Sequence, residues 1–328
     1  MPSIRILTNF KRFPTTWSTS TGLAGSSVLC NSSREFLQLV PQSDLLLVNC
    51  DLPLVELLAL RSLNPFASTP PIIAADLVLR RPDSVKTRLK TALHRGLLSR
   101  VAHFIHYFRH SPGYRQYFGV GPSRSSFVHF KSNLGSSVGP SGNEGEYVLC
   151  FGRSMRDYDT FLAAMASLPY PAAIPRPDFA TLQHHKSRFT VPLDRLPPNV
   201  RLLDDDGSTE SMVRIFDNAR LVVLPVLANS LASSGLSVYL NAMSMRKCVI
   251  ISEGPGASDV LTDGQALIVP PEDPALLAQA IQRAWQDDDL RARTAASGYR
   301  YAVSLGGEQE LYQRILENIA IWHSRSYV

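Results

Sequence analysis

The sequence predicts an α/β protein of two domains, each organised around a parallel sheet. Three observations lead there. Short apolar or β-branched runs alternate with helical stretches along nearly the whole chain, the pattern of strand–helix–strand units. The alternation is interrupted at residues 132–146 (SNLGSSVGPSGNEGE) by the polar, Gly/Ser-rich composition of a flexible connection. At 328 residues the chain is about twice the length of a typical ~150-residue domain, enough for two cores. With 45% hydrophobic and 19% charged residues, the composition excludes a disordered chain.

In the first half, residues 4–8, 45–49, 71–75, 103–107 and 127–129 are short and apolar enough for buried parallel strands, with helices over 54–63 and 83–98 between them. The expected boundaries are a first domain over 1–135, a linker over 136–146 and a second domain over 147–306. The second domain restarts at 147–151 and continues through strands at 199–203, 221–225, 248–252 and 266–269. Asp273-Pro274 before an Ala/Leu-rich run reads as a helix start: Asp can cap, Pro suits the first helical position, and Leu277, Ile281 and Trp285 then share a face. A last helix within 307–328 puts Leu311, Ile315, Leu316 and Ile319 on one stripe. That stripe needs a surface to dock on, and the first domain, back across the boundary, offers one.

The net charge of +5 conceals a split: residues 1–140 hold 16 Lys and Arg against 6 Asp and Glu, residues 141–328 hold 17 against 22. The richest apolar stretch, 45–63, is interrupted by Asp51, Pro53, Glu56 and Arg61, short of the ~20 apolar residues of a membrane span. The opening MPSIRILTNF reads as a strand, not a secretory leader, so a cytoplasmic protein is expected. There Cys30, Cys50, Cys150 and Cys248, far apart and without a C-x-x-C pair, are expected as buried free thiols. His103, His106 and His110 lack partners at ligand spacing, and Asp204-Asp205-Asp206 reads as a solvated turn before a helix from Ser208. No metal site is expected.

The richest segment is 221–271, LVVLPVLANSLASSGLSVYLNAMSMRKCVIISEGPGASDVLTDGQALIVPP. A strand ends at Pro225, and a helix starts near Ser233-Ser234-Gly235, where free N–H groups and the helix dipole favour a phosphate. The order SSGL, NAMSMRKCVIIS, EGPGASDVL, DG and IVPP resembles the donor-binding domain of GT-B fold glycosyltransferases of the retaining family 4 type. The likeness runs from about Tyr147 to the last helix; over the first domain it rests on alternation alone. It implies two Rossmann-like domains facing a cleft and transfer of a sugar from a nucleoside-diphosphate donor to an acceptor hydroxyl, with retention and without a metal or other cofactor.

The resemblance assigns residues. The family's two motif glutamates fall at Ser233 and Asn241, where they would meet the donor sugar and the ribose, and its third acidic position at Asp259. Both replacements are neutral, so either the donor contacts are remodelled or the chain is a catalytically decayed binding or scaffold protein. A different sugar-nucleotide enzyme of this fold, such as an epimerase, is a further alternative. Gly152, Arg153, Ser154 and Arg156, in FGRSMRDY, match the cationic turn that embraces the diphosphate, together with Ser234, Gly235 and Leu236. Arg156 alternatively decorates a helix start, but Asp157 already suits the cap. In PIIAADLVLRRP the family's His-Asp pair falls at Ala75 and Asp76, making Asp76 the acceptor-side candidate or a plain cap. Lys131 either neutralises the leaving diphosphate or is a solvated linker lysine.

One segment stands outside these motifs. Residues 80–100 carry Arg80, Arg81, Lys86, Arg88, Lys90, Arg95 and Arg100 against Asp83, with Val85, Leu89, Leu93 and Leu97 four residues apart. A basic helix with one apolar stripe suits an anionic membrane surface on the inner face of the membrane, as a glycolipid or polysaccharide acceptor would require; it equally suits a surface helix whose leucines face the core. Nucleic acid is not expected, because no stacking aromatics interleave with the charges.

Overall fold

The computed structural model describes residues 3–134, 145–262 and 264–326, so most of the expected 136–146 linker lies outside the described residues. The chain divides into two units, Met1–His129 with Gln309–Val328, and Phe130–Glu308.

The first unit is a seven-stranded sheet in the order β2-β3-β1-β4-β5-β6-β7, with β1 Ser3–Thr8, β2 Thr16–Ser18, β3 Ala24–Leu29, β4 Leu45–Asn49, β5 Ile72–Ala75, β6 His103–His106 and β7 Ser125–Phe127. Only the β2–β3 pair is antiparallel. The sequence reading misses β2 and β3, because AGSSVL has the small residues of a loop. Gly25 is there for space: a Cβ would collide with the Ile4 carbonyl oxygen and lie 2.6 Å from the Trp17 ring. The strand expected at 127–129 lies two residues earlier, as β7.

Helices α1 Ser33–Leu39, α2 Leu52–Arg61, α3 Val85–Leu98 and α4 Pro112–Phe118 connect the strands. In α2 the Asp51 carboxylate accepts from the Leu54 N–H, and in α3 Ser84 and Thr87 form a reciprocal capping box. The helices α2 and α3 join neighbouring parallel strands and pack side by side, with His94 paired to Glu56. Against the core-facing reading, Val85, Leu89 and Leu93 are exposed at 75%, 70% and 67%; α3 buries His94 and Leu98 instead. Cys30, Cys150 and Cys248 are buried free thiols, but Cys50 is exposed at the end of β4.

The last helix, α11 Glu308–Ser326, crosses back to this unit. It buries Leu311, Ile315, Leu316 and Ile319, and sets Tyr312 against the rings of Phe10 and Phe13. Glu317 accepts from the Ser20 N–H and hydroxyl, each at 2.7 Å.

The second unit is an all-parallel six-stranded sheet in the order β10-β9-β8-β11-β12-β13. Its strands are β8 Tyr147–Cys150, β9 Ala172–Pro175, β10 Val200–Leu203, β11 Ala219–Leu224, β12 Cys248–Ser252 and β13 Leu267–Val269. Alternate residues enter different cores: Val222 and Leu224 of β11 pack on one face, Leu221 and Val223 on the other. Burial on both faces explains why these strands read as continuous apolar runs. The short AAIP of β9 gave no such signal. The helices are α5 Tyr158–Ala166, α6 Phe179–His184, α7 Thr209–Asp217, α8 Leu236–Ser244, α9 Pro274–Gln286 and α10 Asp288–Ser304. As expected, Asp273 caps α9, accepting from the Leu276 N–H at 2.9 Å, while Leu277 and Ile281 are buried.

Candidate functional site

In the second unit the strand order reverses between β8 and β11. The chain leaves β8 for β9 on one side, and β11 for β12 on the other, so the loops at their carboxyl ends part and leave a crevice. Both loops carry predicted site residues.

The loop after β8 is stitched down through its backbone. The Arg156 N–H donates to Ser187 Oγ at 2.8 Å, its carbonyl accepts from the Arg188 N–H at 2.8 Å, and the Asp157 N–H donates to the Pro225 carbonyl at 2.8 Å. Asp157 is completely buried, and its carboxylate is committed twice. It caps α5 through the Thr160 N–H and hydroxyl, and it takes Arg188 in a two-point pair at 3.0 and 2.5 Å. The nearest carboxylate in sequence therefore does not neutralise Arg156.

The Arg156 side chain is only 1% exposed. It lies against two glycines, one from each loop. A Cβ on Gly152 would sit 2.5 Å from Nη2, and one on Gly235 3.2 Å from the same atom. Both glycines have positive φ, 110° and 91°, so backbone conformation and space both exclude larger residues. The buried Nε and Nη1 have no hydrogen-bond partner among the described residues. Burial pulls the guanidinium's pKa down from its ordinary value, the signature of a charge held out of water. Beside it, Gly235 is the left-handed N-cap of α8 with no side-chain cap, and Ser233 Oγ is buried without a partner among the described residues. An unpaired guanidinium, an uncapped helix start and an unsatisfied hydroxyl all call for an oxyanion with several acceptor oxygens.

The remaining predicted residues are placed differently. Arg153 is exposed, its carbonyl accepting from Ser187 Oγ at 2.6 Å, and Ser154 is partly buried. Leu236 opens α8, and Ser234 Oγ meets Ser230 Oγ at 3.0 Å. Asn241 is 2% exposed; its carbonyl oxygen accepts from the Asn133 N–H at 3.0 Å and from Ser132 Oγ at 3.4 Å. The amide that the resemblance assigns to a ribose thus holds the segment following Lys131. Lys131 itself donates from Nζ to Asn133 Oδ1 at 2.6 Å. Asp259 accepts from the Gly256 N–H at 2.7 Å and fixes its own turn. Sequence reasoning missed Ser187 and Arg188, which hold the Arg156 loop. They lie about thirty residues away, with no local signal.

Asp76 belongs to the first unit, at the end of β5, with φ 49° and its N–H bonded to the Ile105 carbonyl. Burial raises its carboxyl pKa to about 7. In the unfolded chain the same group titrates near ~3.9. Between these values the folded state holds a proton that the unfolded state has lost, so stability falls as pH rises through that window. Asparagine tolerates the left-handed backbone. Asp76→Asn should therefore melt with wild type at pH 4 and be more stable at pH 8, by up to about 4 kcal/mol. Coincident melting curves at pH 8 would rule out a buried ionisable Asp76.

Among the described residues no group of three or more His, Cys, Asp or Glu side chains could hold a metal ion, and no helix is long and apolar enough to cross a membrane. No curated protein sequence matches the chain. Solved structures do, at low identity. HepE from Anabaena in complex with UDP is 15% identical with a TM-score of 0.67, over 90% of this chain and 86% of that one. Sucrose-phosphate synthase from Thermosynechococcus elongatus is 15% identical at 0.64, over 98% and 89%. The lipopolysaccharide outer core galactosyltransferase WaaB, in its apo form, is 12% identical at 0.59, over 92% and 85%. Residues 177–287 match the family model described as glycosyl transferases group 1. The two parallel sheets therefore have the Rossmann-like fold of the GT-B glycosyltransferases, and the stretch from 177 to 287 bears that family's sequence pattern.

Proposed function

We propose that the crevice between β8 and β11 binds the diphosphate of a nucleoside-diphosphate sugar, and that the protein transfers the sugar to an acceptor hydroxyl with retention of configuration. One observation carries the reading: the buried Arg156 guanidinium, its Nε and Nη1 without a partner among the described residues, beside the uncapped start of α8. A diphosphate supplies the oxygens these groups lack. Negative charge builds on the leaving diphosphate as the glycosidic bond breaks, and preorganised donors facing it lower the barrier without reorganising. Arg156 and the first N–H groups of α8 are those donors, Ser233 adds a hydroxyl toward the sugar, and Arg153 and Lys131 add outer positive charge. In a retaining transfer the departing phosphate can take the acceptor proton, so the chemistry requires neither a protein base nor a metal. Asp76 is the acceptor-side residue of this reading, and the acceptor a glycan or glycolipid. HepE, of the same fold, has also been solved with UDP-glucose.

A second reading, a non-catalytic binding or scaffold protein of this fold, is favoured by one observation: Asn241 occupies the ribose position of the family pattern yet is committed to residues 132 and 133. A thermal-shift panel of UDP-, GDP- and ADP-sugars tests the site. A cognate donor at a hundred times its Kd stabilises by about 2.7 kcal/mol, roughly 4 °C for a protein of this size. A panel without any shift removes the donor site; a shift without turnover on any glycan or lipid-linked acceptor selects the scaffold.

A further inference from the structure

Of the thirteen most exposed large apolar side chains among the described residues, eight lie between Leu57 and Leu93. Leu57 and Leu60 face outward from α2, Phe66 is 95% exposed in the connection that follows, and Val85, Leu89 and Leu93 line α3. At 100° per residue, the three α3 side chains fall within an arc of roughly 80°. On the other side the helix buries His94 and Leu98, with Thr87 and Thr91 partly buried beside them. The cations flank the stripe on both sides. Arg88 and Arg95 lie along one edge, Lys86 and Lys90 along the other, and all four are exposed. Arg95 also lines a cavity of about 680 Å³ with Arg115, Arg124 and His110, so the positive surface continues onto α4.

We propose that the outer face of α2 and α3 docks on an anionic phospholipid bilayer, with α3 lying in the plane of the interface. An apolar stripe aimed at solvent between two rows of cations is the geometry of an interfacial helix: leucines enter the acyl boundary while Lys and Arg stay at the headgroups. Residues 80–100 carry seven cations and one acid, so the face needs a negative surface, not a neutral one. A second copy of the chain is the poorer occupant, because facing two such stripes would bring like charges together. The inference stands apart from the donor site, since it uses none of its residues.

The test is co-sedimentation of the full chain with vesicles of phosphatidylcholine alone or with 30% phosphatidylglycerol. Binding should be at least tenfold tighter to the anionic vesicles and fall at least tenfold in 0.5 M salt. The double variant Leu89→Ser, Leu93→Ser should lose at least tenfold in affinity without a lower melting temperature, because both side chains are exposed. Arg156→Met should bind vesicles like wild type, which separates failure here from failure at the donor site. Equal binding to both vesicle types, no binding to either, or an unaffected double variant would overturn the proposal. A homodimer that the double variant dissociates, seen by sedimentation velocity without vesicle binding, would overturn it in favour of a second copy.

Discussion

Arg156→Met is expected to stabilise the unliganded protein while weakening nucleoside-diphosphate binding about 100-fold. The two effects have one cause. In the free protein a guanidinium is held 1% exposed with two nitrogens unsatisfied, and its neighbour Asp157 is committed to Arg188 and Thr160. A neutral side chain of similar length removes the burial of an uncompensated charge, a gain of about 1–3 kcal/mol by comparison with other buried ionic groups replaced by apolar ones. The same change deletes charge-assisted hydrogen bonds to the diphosphate at about 1.5–3 kcal/mol each. Thermal melting measures the first effect and titration calorimetry the second. An unchanged affinity would remove Arg156 from the donor site, and a lower melting temperature would mean that the guanidinium is satisfied in the free protein.

Gly235→Ala should be the most damaging single-atom-group change at the site. A left-handed backbone costs a non-glycine residue about 1 kcal/mol or more, and the added Cβ would lie 2.8 Å from Leu224 Cδ2 as well as 3.2 Å from Arg156 Nη2. A loss of roughly 2–4 kcal/mol in stability is expected, with a fall of tenfold or more in diphosphate affinity as the α8 start and the guanidinium move apart. Adding Leu224→Val should restore part of the stability, because it relieves the contact but not the backbone strain. If Gly235→Ala melts like wild type, the N-cap geometry is not under the constraint argued for it.

How far the sequence discloses such a site depends on where the determining contacts come from. The start of α9 was legible because its cap, its proline and its buried Leu277 and Ile281 all lie within nine residues. Arg156 was legible by type, through its place in FGRSMRDY, but its isolation was not. That depends on Gly235, on Arg188 capturing Asp157, and on Ser187 fixing the loop, each brought in from a distant part of the chain. Asn241 shows the reverse: a position named by pattern turns out to be occupied by contacts with Ser132 and Asn133, more than a hundred residues away. On α3 the leucine spacing was plain, yet the buried positions are His94 and Leu98, off the stripe which that spacing defines.

The return of α11 to the first unit has a consequence for the order of assembly during synthesis. The strands of that unit emerge first, but the surface that takes Leu311, Ile315 and Ile319 stays uncovered until the whole of Phe130–Glu308 has been made. At ~5–20 residues per second this interval is on the order of 10–40 s. When it ends, the second unit has its entire sequence available and the first still lacks α11. The part encoded second is therefore free to finish first, and Phe10, Phe13 and the rest of the α11 cradle are the apolar surface that a ribosome-associated chaperone would meet in the meantime.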